Sequence, residues 1–198
     1  MFLLFLLLLP AIAVHEAAHA WAAWKLGDST AKRLGRLSLN PARHLDIAGT
    51  LMLLFVHFGW GNPVPVDPRN FRRPLRDQAL TAAAGPASNL ALALATALIL
   101  RILPAPGIFA AGFLFIQINL GLAFFNLLPL YPLDGSRILL FLLPARWQDA
   151  ALRFYAHSPA ILVGLLVGDW LMQEAGGASV FGVLFGWVFS LARFLAIG

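Results

Sequence analysis

The chain has 198 residues, of which 60% are hydrophobic and only 12% are charged. Soluble domains carry about 25% charged residues, so this composition excludes a water-soluble globule and a disordered protein. The net charge of +5 does not indicate a nucleic-acid partner, because the basic residues lie in polar connections between apolar runs, as in membrane proteins. The absence of cysteine excludes disulfides, thiolate metal sites and cysteine nucleophiles.

Apolar segments recur along the whole chain and predict an all-α polytopic membrane protein with about five or six transmembrane helices. They cover about residues 2–26, 80–100, 108–128, 138–143, 159–172 and 180–197. We interpret the first as a retained span rather than a secretory signal, because it lacks a basic leader and runs on to Trp24. Residues 144–157 read as a polar, basic connection.

The region after the first helix, residues 27–77, has an apolar centre at 47–60 that is too short and too rich in glycine to span comfortably. It favours a membrane-associated re-entrant or interfacial segment. Residues 36–39 and 63–66 predict short strands beside it, although Pro63 and Pro65 each remove a ladder donor. We expect one domain over residues 1–198, with a core at about 1–143 and additional helices at about 158–198.

The distribution of basic residues predicts the orientation in the membrane. If the first span runs from outside to inside, 13 of the 14 Lys and Arg residues lie in the cytoplasm and only Arg101 lies outside. The positive-inside rule favours this arrangement. We therefore expect an N-terminus outside and a C-terminus in the cytoplasm, in the plasma membrane of a prokaryote.

The first apolar segment contains the motif His15-Glu16-Ala17-Ala18-His19. Positions i and i+4 lie on one face of a helix, so both imidazoles can bind one metal ion while Glu16 acts on a metal-bound water. A charge at the centre of a bilayer costs about 2.5–3.5 kcal/mol. Such residues persist when they face the protein interior and have partners there, which favours a functional site over histidines that only pack.

A hydrolytic zinc site needs three protein ligands and an open fourth position. The remaining histidines lie in polar connections: His44, His57 and His157. The acidic residues that do not lie in loops are Asp134 and Asp169. Asp134 follows a helix that Pro129 and Pro132 interrupt. A broken helix at membrane depth lines protein or a water-filled cavity, so we expect Asp134 to be the third ligand. The alternative is that Asp134 only caps the next helix.

Three motifs occur in order: His15-Glu16-x-x-His19, Gly85-x-x-x-Asn89 and Asn126-x-x-Pro129-x-x-x-x-Asp134-Gly135. In this combination the chain resembles the site-2 proteases, the intramembrane zinc metalloproteases of peptidase family M50, over about residues 10–140. It is most similar to small prokaryotic members without PDZ or CBS domains.

The resemblance implies that His15, His19 and Asp134 bind one Zn²⁺ per chain, with no further cofactor. It implies that Glu16 is the catalytic acid/base and that Asn89 and Asn126 line the substrate groove or stabilise the oxyanion. The expected function is hydrolysis of peptide bonds within or near transmembrane segments of other proteins in the lipid bilayer. Two alternatives are a divalent metal-ion transporter and an inactive, protease-like membrane scaffold.

Overall fold

The protein is almost entirely helical in the part that the computed structural model describes, residues 2–46, 49, 61–103 and 106–197. The α-helices are Phe2–Leu26 (α1), Thr30–Arg33 (α2), Pro74–Ile102 (α3), Pro106–Asn126 (α4), Asp134–Leu142 (α5), Ala145–Glu174 (α6) and Val180–Ile197 (α7). In these ranges five helices, α1, α3, α4, α6 and α7, are long and apolar enough to cross a membrane. The predicted all-α polytopic membrane fold is confirmed.

Helix α3 holds the bundle together because it packs against α1, α4, α5 and α7. Its face toward α4 and α7 is built from alanines four residues apart, which let the helix backbones approach closely. The buried cluster shared by these three helices consists of Ala93, Ala97, Leu100, Ile116, Leu120, Val188, Ala192 and Ala196. Lipid offers no hydrophobic driving force between spans, so this close contact is what stabilises their association.

The break between α4 and α5 lies where the proline pattern predicts it. Helix α4 ends at Asn126 and α5 begins at Asp134, with Pro129 and Pro132 between them. The nine residues of α5 rise only about 13 Å, so this segment does not cross a membrane.

The polar connection predicted for residues 144–157 is wrong, because these residues form the first half of the continuous helix α6 from Ala145 to Glu174. Pro159 lies inside α6 without ending it. A helix satisfies its own backbone, so polar side chains on an exposed face do not prevent it from forming. A turn joins the last two spans, with Gly176 in the left-handed region at a φ of 77°.

The predicted short strands are also absent: residues 36–39 and 63–66 contain no strand. The β-type pairing among the described residues of this region is an isolated antiparallel bridge from Leu45 to Gly61. The carbonyls of Asn62 and Pro63 accept hydrogen bonds from Arg36 instead, and proline leaves no donors for a ladder. The predicted re-entrant segment at 47–60 lies outside the described residues except for Gly49.

Candidate metal centre and active site

Helix α1 places His15 and His19 on one buried face, one turn apart. Their Nε2 atoms lie 3.0 Å from each other. The rings are nearly perpendicular, at 86°, so their edges converge on one point rather than stacking. The i, i+4 spacing has therefore brought together two nitrogens that could bind one metal ion, as the sequence predicts.

Hydrogen bonds on the far side of each ring fix which nitrogen carries the proton. His15 Nδ1 lies 2.5 Å from the Asn89 side-chain oxygen, and His19 Nδ1 lies 2.7 Å from the Thr81 carbonyl oxygen. Both oxygens can only accept, so each Nδ1 is the donor. A neutral imidazole then keeps a free lone pair on Nε2, and both lone pairs face the same space.

Asp134 completes the cluster from the first turn of α5, where its carboxylate is buried. Its Oδ2 atom lies 3.3 Å from His15 Nε2 and 3.2 Å from His19 Nε2, and no described hydrogen-bond donor serves it. The N-cap of α5 is Leu133 rather than Asp134. The carboxylate is thus directed at the two histidines, and the capping alternative does not describe its contacts.

The three donor atoms fit a tetrahedral zinc ion. Zinc bonds to nitrogen and oxygen are about 2.0–2.2 Å long, which separates neighbouring ligands of a tetrahedron by roughly 3.3 Å. The observed separations are 3.0, 3.2 and 3.3 Å. Three converging lone pairs repel one another unless a cation lies between them, so the donor set matches Zn²⁺ with a fourth position open. It is the one such group found among the described residues.

Two glycines of the motifs allow the close approach of the surrounding backbone. A Cβ on Gly85 would lie 2.6 Å from His15 Cε1 and would overlap the His19 ring. A Cβ on Gly135 would overlap the carbonyl oxygens of Leu127 and Leu128. Helix α3 at Gly85 and helix α5 at Gly135 therefore pass so close to their neighbours that a side chain at either position displaces the two histidines or the turn before α5.

Glu16 is half-buried and adjoins the metal ligands along α1. Its Oε2 accepts a hydrogen bond of 3.0 Å from the backbone N–H of Val64. The segment that contains Val64 is tied to the end of α1 by the buried Asp28, which accepts bonds from the Asp67 backbone and the Asn70 amide. The chain after the first helix thus returns to hold the carboxylate beside the centre.

The two predicted substrate-groove asparagines have different surroundings. Asn89 is fully buried, and its amide nitrogen donates to the Ala11 carbonyl at 3.2 Å and to Asn119 at 2.9 Å. It has no free hydrogen to offer a substrate in this arrangement. Asn126 is half-buried and its amide donates to the Leu122 carbonyl of its own helix at 2.9 Å. Contact of either residue with substrate stays a prediction.

Asn119 and His44 are polar residues whose surroundings the sequence does not reveal. Asn119 is fully buried against Asn89. Its spacing of seven residues from Asn126, two helical turns inside an apolar helix, was the available signal. His44 is fully buried, and its Nε2 lies 2.7 Å from the Ser38 carbonyl, so it supports the connection between α2 and the described part of the chain that follows.

The comparisons with known proteins agree with this geometry. Residues 103–167, which include Asp134, match the family model described as Peptidase family M50. YwhC from Bacillus subtilis (strain 168) is 45% identical over 189 residues, which cover 87% of this chain and 86% of YwhC. Rip2 from Mycolicibacterium smegmatis and Rip2 from Mycobacterium tuberculosis (strain H37Rv) are 31% and 33% identical over 64% of this chain, and the chain spans 52% of each. The names of these relatives describe candidate zinc metalloproteases, and no solved structure is significantly similar.

The protein is a zinc metalloprotease and an integral, multi-pass membrane protein. It belongs to peptidase family M50, the site-2 protease family. The family resemblance and the zinc cofactor predicted from the motifs are confirmed.

Proposed function

We propose that the chain hydrolyses peptide bonds within or near the transmembrane segments of other membrane proteins. The observation that carries this proposal is the position of His15 and His19, two of the three candidate ligands, in the middle of a membrane-spanning helix. At a rise of about 1.5 Å per residue, His15 lies roughly 20 Å from the first residue of α1 and roughly 16 Å from the last. A substrate must therefore bring its peptide bond to the middle of the bundle.

In this proposal His15, His19 and Asp134 would hold Zn²⁺, which would supply a Lewis acid and make a nucleophilic water available near neutral pH. Glu16 would act as the general base that accepts a proton from the attacking water, and then as the general acid that delivers this proton to the departing amine. The hydrogen bond from the Val64 N–H orients the Glu16 carboxylate. These steps need no residue beyond those the bundle already holds together.

The substrate imposes one more requirement on the site. A transmembrane helix uses its carbonyls in its own hydrogen bonds, so it must unwind locally before attack, and helix-weakening residues in the substrate favour this. Asn126, half-buried at the end of α4, is the amide that we assign to the opened backbone or the oxyanion.

We further propose that residues 1–198 act as one domain, with the core at about 1–143 and the additional helices at about 158–198. The packing of Val188, Ala192 and Ala196 of α7 into the cluster with α3 and α4 supports this. The proposed orientation, N-terminus outside and C-terminus inside a prokaryotic plasma membrane, rests on the 13 of 14 basic residues that it puts in the cytoplasm.

The proposal is tested by cleavage of a single-span protein in liposomes that contain the purified chain, with and without 1,10-phenanthroline. Glu16→Gln removes the base but not a metal ligand, so it should abolish cleavage while zinc stays at one equivalent per chain. Glu174→Gln is a matched control, because Glu174 is an exposed carboxylate at the end of α6. Cleavage that survives in Glu16→Gln contradicts the proposal, and so does cutting of the test protein only at sites remote from its membrane segment.

A further inference from the structure

We propose that Asn119 is a positioning residue of the metal centre, which acts through Asn89 to hold His15 with its Nε2 lone pair toward the zinc ion. The proposal rests on the ligand set proposed above. Asn119 touches none of the three ligands in the structure, and it lies on a different helix, α4, from the histidines on α1. Its effect is therefore transmitted by a chain of hydrogen bonds.

The orientation of the Asn119 amide is fixed from one side by the backbone. Its nitrogen donates to the Phe115 carbonyl oxygen at 2.9 Å, and that oxygen can only accept. The side-chain oxygen of Asn119 must therefore point the other way, toward Asn89. This oxygen lies 2.9 Å from the Asn89 side-chain nitrogen and accepts a hydrogen bond from it.

The second asparagine is fixed in the same manner. Both hydrogens of the Asn89 amide are used, one toward Asn119 and one toward the Ala11 carbonyl at 3.2 Å. Its oxygen is then left facing His15 Nδ1 at 2.5 Å, which selects the tautomer that leaves Nε2 free. A flip of Asn89 would put two donors against each other at His15 Nδ1–H and two acceptors against each other at Ala11 and at Asn119.

Burial makes the loss of any of these hydrogen bonds costly. Asn89 and Asn119 are both 0% exposed, so water cannot replace a lost partner, and a buried donor without an acceptor is strongly disfavoured. Without the Asn119 oxygen, one hydrogen of the Asn89 amide has no acceptor, and the amide nitrogen is held by the Ala11 carbonyl alone. Partners behind a metal-ligating histidine typically change metal affinity by 10–100-fold, and we expect about 10-fold here because Asn119 acts through one intermediate residue.

The test measures the zinc dissociation constant of the purified chain in detergent by competition with a chelating dye. Asn119→Leu should weaken zinc about 10-fold, and Asn119→Asp, which keeps an acceptor oxygen, should stay closer to the parent chain. The double variant Asn89→Leu/Asn119→Leu should bind zinc no worse than Asn89→Leu alone, because Asn119 acts through Asn89. Unchanged affinity in Asn119→Leu, or additive losses in the double variant, overturns the proposal.

Two further arms separate this role from general destabilisation and from an incorrect ligand set. Leu120→Ala removes a neighbouring buried side chain of α4 and should lower the unfolding temperature without changing zinc affinity. In the metal-free chain labelled with ¹⁵N-histidine, the His15 signal should show protonated Nδ1 in the parent and a mixture of tautomers in Asn119→Leu. An unchanged tautomer refutes the role of Asn119, whereas zinc retained in Asp134→Ala refutes the ligand set instead.

Discussion

The substitution Gly85→Ala tests whether the close passage of α3 over the histidines is required for zinc binding. A Cβ at this position would lie 2.6 Å from His15 Cε1, and ordinary contact begins at 3.4 Å. The new Cβ lies still closer to the His19 ring, so either both rings or the helix must retreat by at least about 0.8 Å. Metal-ligand distances tolerate only about ±0.2 Å, so the retreat is several times what the site can absorb. We expect zinc affinity to fall by at least 10–100-fold, the range for the loss of a supporting partner.

The free energy of unfolding of this variant should fall by about 0–2 kcal/mol. Alanine is about 0.8–1.0 kcal/mol better than glycine inside a helix, while overpacking costs about 1–3 kcal/mol, so the first effect partly offsets the second. The zinc dissociation constant and the thermal unfolding temperature would both be measured in detergent. Gly121→Ala makes the same chemical change in α4, where no described atom lies within 4 Å of the new Cβ. Zinc affinity in Gly85→Ala within twofold of that control refutes the reasoning.

Two further predictions concern the segment that returns to Glu16. Val64→Pro removes the N–H that binds the Glu16 carboxylate. Because a hydrogen bond to a charged group is worth about 1.5–3 kcal/mol, kcat should fall roughly 10- to 100-fold while zinc is retained. Val66→Pro is the control, and an equal kcat in the two variants would contradict the assigned contact. Burial raises the pKa of Asp28, but hydrogen bonds from Thr30, Asp67 and Asn70 outweigh it and hold the pKa below 3.8. A carboxyl group whose pKa is lower in the folded than in the unfolded state stabilises the fold at any pH above the pKa of the unfolded state. This stabilisation is lost as the pH falls through the pKa of the folded state. Asp28→Asn should therefore be destabilised at pH 7 by about 1–3 kcal/mol. In thermal unfolding scans the difference in stability between the parent chain and Asp28→Asn should narrow below pH 4. A difference that does not depend on pH would refute this role of Asp28.

The sequence predicts the parts of the site whose spacing has direct chemical meaning. The i, i+4 histidines follow from helix geometry, and the acid after a double-proline break follows from the need to satisfy backbone at membrane depth. The end of α1 and the start of α7 match the apolar runs because hydropathy changes abruptly at those two points. Hydropathy does not predict the start of α6, since residues 145–157 mix charged and polar side chains with apolar ones, and helix formation there depends on backbone hydrogen bonds.

The positioning residues are harder to predict because their chemistry is ordinary and their partners are distant in the chain. Asn119 is 30 residues from Asn89, which is 74 residues from His15, and neither separation has a helical period to reveal it. In an apolar bundle, however, a buried polar side chain without a hydrogen-bond partner is strongly disfavoured. The asparagines meet this need by linking the Phe115 and Ala11 carbonyls to His15 in one continuous path. A polar residue in an apolar helix is thus best interpreted by following its hydrogen bonds to the group they orient, and here they end at a metal ligand.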